Sequence, residues 1–216
     1  RVKVNMEMNM KNNFNFLGLI LITFLVSCSS SDEEQIKEEL TTLGSTQIGL
    51  IDDQRILDAE SEPGNWLAHG RTYEERRFSP LTGINKENVS ELGLVWSKDM
   101  GTNRALEATP IVVDGIMFFT STWSRVYAVD ALTGETIWKF DPKVPGEWAR
   151  KACCDIVNRG VAVYNGKVYS ASLDGRLFAI NAETGELVWE VDTIIDRTRS
   201  YTITGAPRVA KGKVYI

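Results

Sequence analysis

From residue 108 onward, apolar residues come in short β-rich runs separated by turn residues. "IVV-DG-IMFF" (111–119) and "AVY-NG-KVYS" (162–170) each place two runs around Asp-Gly or Asn-Gly. Those dipeptides favour the left-handed backbone of a two-residue hairpin, so both stretches predict antiparallel strand pairs. "RVYAVDA" (125–131) and "RLFAINA" (176–182) predict a third strand, and "ETIWKF" (135–140) and "ELVWEV" (186–191) a fourth.

The two sets are copies in constant register. Gly115 falls on Gly166, Arg125 on Arg176, Gly134 on Gly185 and Trp138 on Trp189, each 51 residues apart. A third copy begins at "APRVAKGKVYI" (206–216), and "LGLVW" (92–96) resembles the last strand of a copy preceding the first. Four short antiparallel strands per repeat of this length describe a blade of a β-propeller. A β-helix would repeat at far shorter spacing, and a sandwich would not repeat its sequence so closely. The expected fold is therefore all-β: two propeller blades and the start of a third.

The blades share the pattern A-x-[DN]-x-x-T-G-x-x-x-W at 128–138 and 179–189. The Asp or Asn with Thr-Gly makes a tight turn between the last two strands. Trp138 and Trp189 are then expected to pack between neighbouring blades, as structural groups rather than catalytic ones. Ahead of the repeats, "IDDQRILDAESEPGNW" predicts a short helix stopped by Pro63-Gly64. "NKENVSELG" (85–93) predicts another, with Asn85 as N-cap and Gly93 at its C-terminal end.

The first residues read as targeting rather than fold. The apolar stretch from Phe16 to Val26 is too short to span a bilayer as a helix and fits the core of a secretory signal. It ends in Leu25-Val26-Ser27-Cys28, which resembles a bacterial lipobox, so Cys28 is the expected lipidation site. Residues 1–28 are assigned to this signal, those before Met10 lying upstream of the expected start; the polar, acidic 29–49 forms a tether and 50–216 the propeller segment. The expected location is periplasmic, on a membrane, with the outer membrane favoured by the serine after Cys28.

Composition then narrows the chemistry. A net charge of −5 gives no support for a nucleic-acid partner. The only histidine, His69, lies in the polar loop "AHGRTYEERRFSP", where a loop hydrogen bond is expected and a metal-ligand role is not. Of three cysteines, lipidation of Cys28 leaves the adjacent pair Cys153 and Cys154. A trans peptide holds neighbouring Cα atoms about 3.8 Å apart, below the usual disulfide span, so joining the pair closes a small strained ring. Leaving them reduced would set two reactive thiols together. The residues alone leave both states open.

The W-type repeat, "KACCDIVNRG" (151–160) and "NWLAHGRTYEERRFSPLTGINKENVSELGLVW" (65–96) together resemble the pyrroloquinoline quinone (PQQ)-dependent alcohol dehydrogenases over about residues 50–216. "GEWARKACCDIVNRGVAVYNGKVYSASLDGRLFAINAETG" and "YTITGAP" are similar to the quinohaemoprotein branch, which carries an added cytochrome c domain. The resemblance implies an eight-bladed propeller with PQQ on its axis, chelating calcium. It implies that Cys153 and Cys154 form a vicinal disulfide against one face of the quinone. Arg159 matches a cofactor-contacting arginine, and Glu107 and Thr204 match two further residues that hydrogen-bond PQQ. An arginine and a hydroxyl suit a planar acceptor bearing three carboxylates. Glu107 is chemically odd there, because a carboxylate beside a polyanion needs a proton or a donor between them.

In the family, the calcium ligands, the aspartate base and any haem-binding C-x-x-C-H lie beyond the position of Ile216. No catalytic or metal-binding residue is therefore expected within 1–216, which by itself is expected to be inactive. The implied function is periplasmic oxidation of primary alcohols to aldehydes, with electrons passed to cytochrome c or haem c. The alternatives are a propeller lipoprotein that scaffolds outer-membrane assembly without quinone, and a quinoprotein acting on another substrate such as a sugar. A scaffold has no use for adjacent cysteines followed by Arg159.

Overall fold

In the computed structural model, which describes residues 48–216, each Asp-Gly or Asn-Gly pair closes a two-residue hairpin. Strands β1 (Ile111–Val113) and β2 (Ile116–Thr120) flank Asp114-Gly115; β5 (Ala162–Tyr164) and β6 (Lys167–Ala171) flank Asn165-Gly166. Both central residues of each turn have positive φ: 54° and 78° in the first, 48° and 69° in the second. That is the twist that lets two right-twisted strands continue without splaying. Lys211-Gly212 turns the same way between β9 (Arg208–Ala210) and β10 (Lys213–Tyr215).

Strands β3 (Val126–Asp130) and β4 (Thr136–Phe140) complete the first blade, in the order β1-β2-β3-β4. Strands β7 (Arg176–Asn181) and β8 (Leu187–Asp192) complete the second in the same order, and β9–β10 open the third. All pairings within the blades are antiparallel. The Thr-Gly turns form as predicted. Asp130 Oδ1 accepts the N–H groups of Leu132 and Thr133 at 2.9 and 2.8 Å. Asn181 Oδ1 accepts those of Glu183 and Thr184 at 2.9 and 3.0 Å. The matching strand pairs carry a bulge at the same place, after Ala128 and after Ala179.

The tryptophan of each last strand meets the Thr-Gly turn of the next blade. Trp138 donates its indole N–H to the Ala182 carbonyl at 2.9 Å, and its ring covers Gly185, where a Cβ would come within 2.7 Å of it. Trp96 repeats the contact one blade earlier, with its N–H on Ala131 O at 3.2 Å and its ring over Gly134. Trp189 behaves differently. It is 39% exposed, with its ring 5.9 Å from that of Tyr169. The core between the sheets is filled by Ile111, Val113, Phe118, Val161, Val163 and Phe178, with Phe140 edge-on to Phe178 at 5.3 Å.

Helix α1 (Asp53–Leu57) starts at Asp52, whose side chain accepts the Arg55 N–H at 2.7 Å, and a 3₁₀ turn (Ala59–Ser61) follows it before Pro63-Gly64. The segment around α1 reaches the inner hairpins of three successive blades. Gly49 N–H and the Arg55 guanidinium donate to Asp114 at 3.1 and 2.7 Å. Asn165 and Gly166 N–H donate to Ile51 O and Gly49 O at 2.8 and 3.0 Å. The Asp53 carboxylate accepts the Lys211 N–H at 2.9 and 3.0 Å and the Tyr73 hydroxyl at 2.5 Å.

The predicted helix at 85–93 is only a 3₁₀ turn (Val89–Glu91), and Asn88 rather than Asn85 stands at its N-cap. Asn85 nonetheless makes the capping bonds expected of it, its Oδ1 accepting the N–H groups of Glu87 and Asn88 at 3.0 and 3.3 Å and its carbonyl that of Val89 at 2.9 Å, so a single turn forms there and runs into the 3₁₀ turn instead of a longer helix. The signal segment, Cys28 and all but the last two residues of the tether lie outside the described residues.

Candidate functional site

Each blade begins with a lead-in that enters its innermost strand from the end opposite the hairpin turn. Glu107 precedes β1, Arg159 precedes β5 and Thr204 precedes β9, three or four residues ahead in each case. The lead-ins bond to one another in sequence. The Thr109 N–H donates to Arg159 O at 3.1 Å, and the Arg159 N–H donates to Thr204 O at 2.9 Å. Thr109 and Gly160 form an isolated parallel bridge between the first two.

This backbone ladder brings together three predicted site residues. Arg159 Nη1 donates to Thr204 Oγ1 at 2.5 Å, and Nη2 pairs with Glu107 Oε2 at 2.9 Å. The Arg159 and Glu107 side chains are 39% and 37% exposed, so the group is accessible yet fixed on both sides. The chemical oddity of Glu107 is resolved here: its carboxylate faces a guanidinium. A guanidinium carries five N–H donors, and two such contacts leave others for an incoming anion. The donor set therefore fits a planar polyanion with carboxylate and carbonyl oxygens.

The adjacent cysteines are disulfide-bonded, across a Cα–Cα separation of 3.8 Å, and both are exposed. Oxidation removes the free thiols that would otherwise stand together. Beneath this loop Trp148, Ile156 and Leu173 form a separate buried cluster, with Trp123 and Ala152 packed against it. Lys151 Nζ stands 4.0 Å over the Trp148 ring. Asp155, next in sequence after the pair, has φ 68° and pairs with Arg104 at 2.5 Å.

Sequence reasoning did not single out Asn158, Gly160 or the Arg104–Asp155 pair. Gly160 has φ 126°, and a Cβ there would come within 2.8 Å of Thr109 O, so only glycine permits the lead-ins to approach. The signal was present in "NRG", since a glycine next to a candidate ligand often marks close backbone approach. His69 makes its loop hydrogen bond through the backbone: its carbonyl accepts the Trp66 indole N–H at 3.2 Å, while Nδ1 is buried without a partner among the described residues. Burial, reinforced by Arg208 and Arg77, pushes the His69 pKa down. Among the described residues no three metal-ligating side chains cluster.

A family model described as PQQ: glucose/ethanol/alcohol dehydrogenase, β-propeller domain, matches residues 66–192. The chain belongs to this PQQ β-propeller family. Within the family it is 58% identical over 166 residues to the quinohemoprotein alcohol dehydrogenase ADH-IIG of Pseudomonas putida, covering 77% of this chain and 23% of that protein. It is 57% identical over 153 residues to the 1-butanol dehydrogenase (cytochrome c) of Thauera butanivorans, covering 71% of this chain and 22% of that one. The solved structure of ADHIIG from P. putida HK5 superposes with a TM-score of 0.77 at 56% identity, covering 79% of this chain and 25% of that one. The chain thus spans about a quarter of the length of these relatives.

Proposed function

We propose that the protein is the PQQ-binding propeller segment of a dehydrogenase that oxidises primary alcohols to aldehydes in the periplasm and passes electrons to cytochrome c or haem c. The observation that carries this reading is the Arg159 guanidinium held between Glu107 and Thr204, five residues after a vicinal disulfide. Arg159 and Thr204 would hold the anionic edge of the cofactor, and the disulfide would offer a rigid, polarizable surface to its face. When bound, PQQ supplies the electron-poor carbonyl that takes a hydride equivalent from the alcohol. Glu107 balances the charge of Arg159 and fixes its orientation, so the guanidinium is already set before binding. Calcium is proposed as the accompanying metal, its ligands and the base that takes the hydroxyl proton lying beyond Ile216.

The test is dye-linked oxidation of ethanol or 1-butanol by the full-length protein, with and without added PQQ and calcium. Turnover that requires both is expected; absence of PQQ-dependent turnover on any primary alcohol overturns the reading.

The Leu25–Cys28 pattern supports export and lipid anchoring through Cys28, with the outer membrane favoured. Cys28→Ala should release soluble protein, and a variant that still sediments with membranes would refute the anchor.

A further inference from the structure

Asn158 is buried to 2% exposure while the side chain of its neighbour Arg159 is 39% exposed. A buried amide is costly unless its donors and acceptors find partners. Here Nδ2 donates to Ala171 O at the end of β6 at 2.7 Å, and Oδ1 accepts the Gly160 N–H at 3.1 Å. Its backbone carbonyl accepts the Thr120 hydroxyl, at the end of β2, at 3.2 Å. Asn158 therefore ties the second lead-in to both completed blades. The Oδ1 bond spans Arg159 and ends on the amide of Gly160, the φ 126° residue whose missing Cβ allows Thr109 to approach.

We propose that Asn158 is a positioning residue: it sets the height and direction of Arg159 on the propeller, and through Arg159 the recognition of the cofactor's anionic edge. The role rests on the PQQ reading for its ligand, but its mechanical part concerns this chain's own backbone. Without the Asn158 side chain, the Arg159 amide and carbonyl would still have Thr204 and Thr109 as partners and Thr120 would still reach the Asn158 carbonyl, but the tie of the lead-in to β6 and the acceptor for the Gly160 N–H would both be lost. The guanidinium would then sample orientations in which it cannot meet Glu107 and Thr204 together.

The experiment compares full-length wild type with Asn158→Ala and the milder Thr120→Val, which removes only the hydroxyl bond to Asn158 O. Ser170→Ala serves as control, since the Ser170 hydroxyl is buried in β6 without a partner among the described residues. Amide exchange at Thr109, Arg159 and Gly160 is read in the cofactor-free protein, and PQQ affinity by tryptophan fluorescence quenching. Asn158→Ala is expected to speed exchange at these three amides at least tenfold relative to β6 and to weaken PQQ binding at least tenfold. Thr120→Val should move both about threefold, and Ser170→Ala neither. Unchanged exchange in both variants overturns the positioning role, whatever the wild type does with PQQ. Faster exchange with unaltered PQQ affinity overturns the link from Asn158 to the cofactor. A wild type that fails to bind PQQ overturns the functional reading and that link together, and exchange still decides the mechanical part.

Discussion

Arg159 and Glu107 belong to the lead-ins of neighbouring blades, and their side chains meet at 2.9 Å. The contact is therefore a blade-to-blade bond as well as part of the candidate site. Arg159→Lys keeps the charge but loses the planar fork that reaches Glu107 and Thr204 at once. The expected loss is about 1.5–3 kcal/mol of PQQ affinity, the usual range for a hydrogen bond to a charged group. Fluorescence titration of the full-length variant checks it; an affinity within a factor of two of wild type would show that the fork is not used.

The vicinal disulfide joins residues one apart in sequence, so it closes no loop of consequence in the unfolded chain. Its removal should therefore cost little global stability. Because both cysteines are exposed, a mild reductant can reach them. Reduction of the full-length protein should abolish dye-linked alcohol oxidation while Tm moves by only a degree or two, within the shift expected for well under about 1 kcal/mol. Mass spectrometry after alkylation verifies the thiol state, and full activity with both thiols alkylated would sink this role.

Trp138 and Gly185 form the contact that repeats from blade to blade. Gly185→Ala places a Cβ within 2.7 Å of the Trp138 ring at a φ of 75°, a clash added to a left-handed backbone that costs alanine about 1–2 kcal/mol. Trp138→Ala should cost more, about 3–5 kcal/mol, since it removes a large buried side chain. Urea unfolding midpoints of the full-length variants check the order. Gly115→Ala, where an added Cβ meets nothing, separates backbone strain from the clash.

Acid should loosen the segment around α1. The Tyr73 hydroxyl and the Lys211 N–H hold the Asp53 carboxyl below its ordinary 3.8. A depressed folded pKa favours the folded state above the unfolded value, and that contribution fades as pH falls below about 4 toward the folded pKa. Exchange at the Lys211 amide should quicken over that range in wild type, and Asp53→Asn should flatten the dependence. An identical acid profile in the variant would assign the effect to another carboxylate.

Much of the fold was legible because its signals are local. Asp114-Gly115 and Asn165-Gly166 state their turn type in two residues, and the 51-residue register of Gly134 with Gly185 carried the blade. Glu107, Arg159 and Thr204 were named through family resemblance, yet their mutual contact follows only from lead-ins 45 and 52 residues apart lying side by side. Asn158 left no such mark. An asparagine in a loop reads as a turn residue, and burial between two blades is a tertiary fact. At Asn85 the cap was legible, in its bonds to the Glu87 and Asn88 amides, but the length of the helix was not, since only a 3₁₀ turn over Val89–Glu91 follows.

The reach of α1 across three hairpins also fixes an order of assembly. Asp53 and Lys211 stand 158 residues apart, and Gly49 meets both Asp114 and Gly166. A chain made from its N-terminus has Ile51 and Ile56, among the most deeply buried side chains of the finished structure, waiting for blades synthesised after them, and the Asp53 bond is made only once the third hairpin exists. These early residues of the sequence are thus among the last to complete their contacts, and until then they are apolar surface that a holding chaperone would meet.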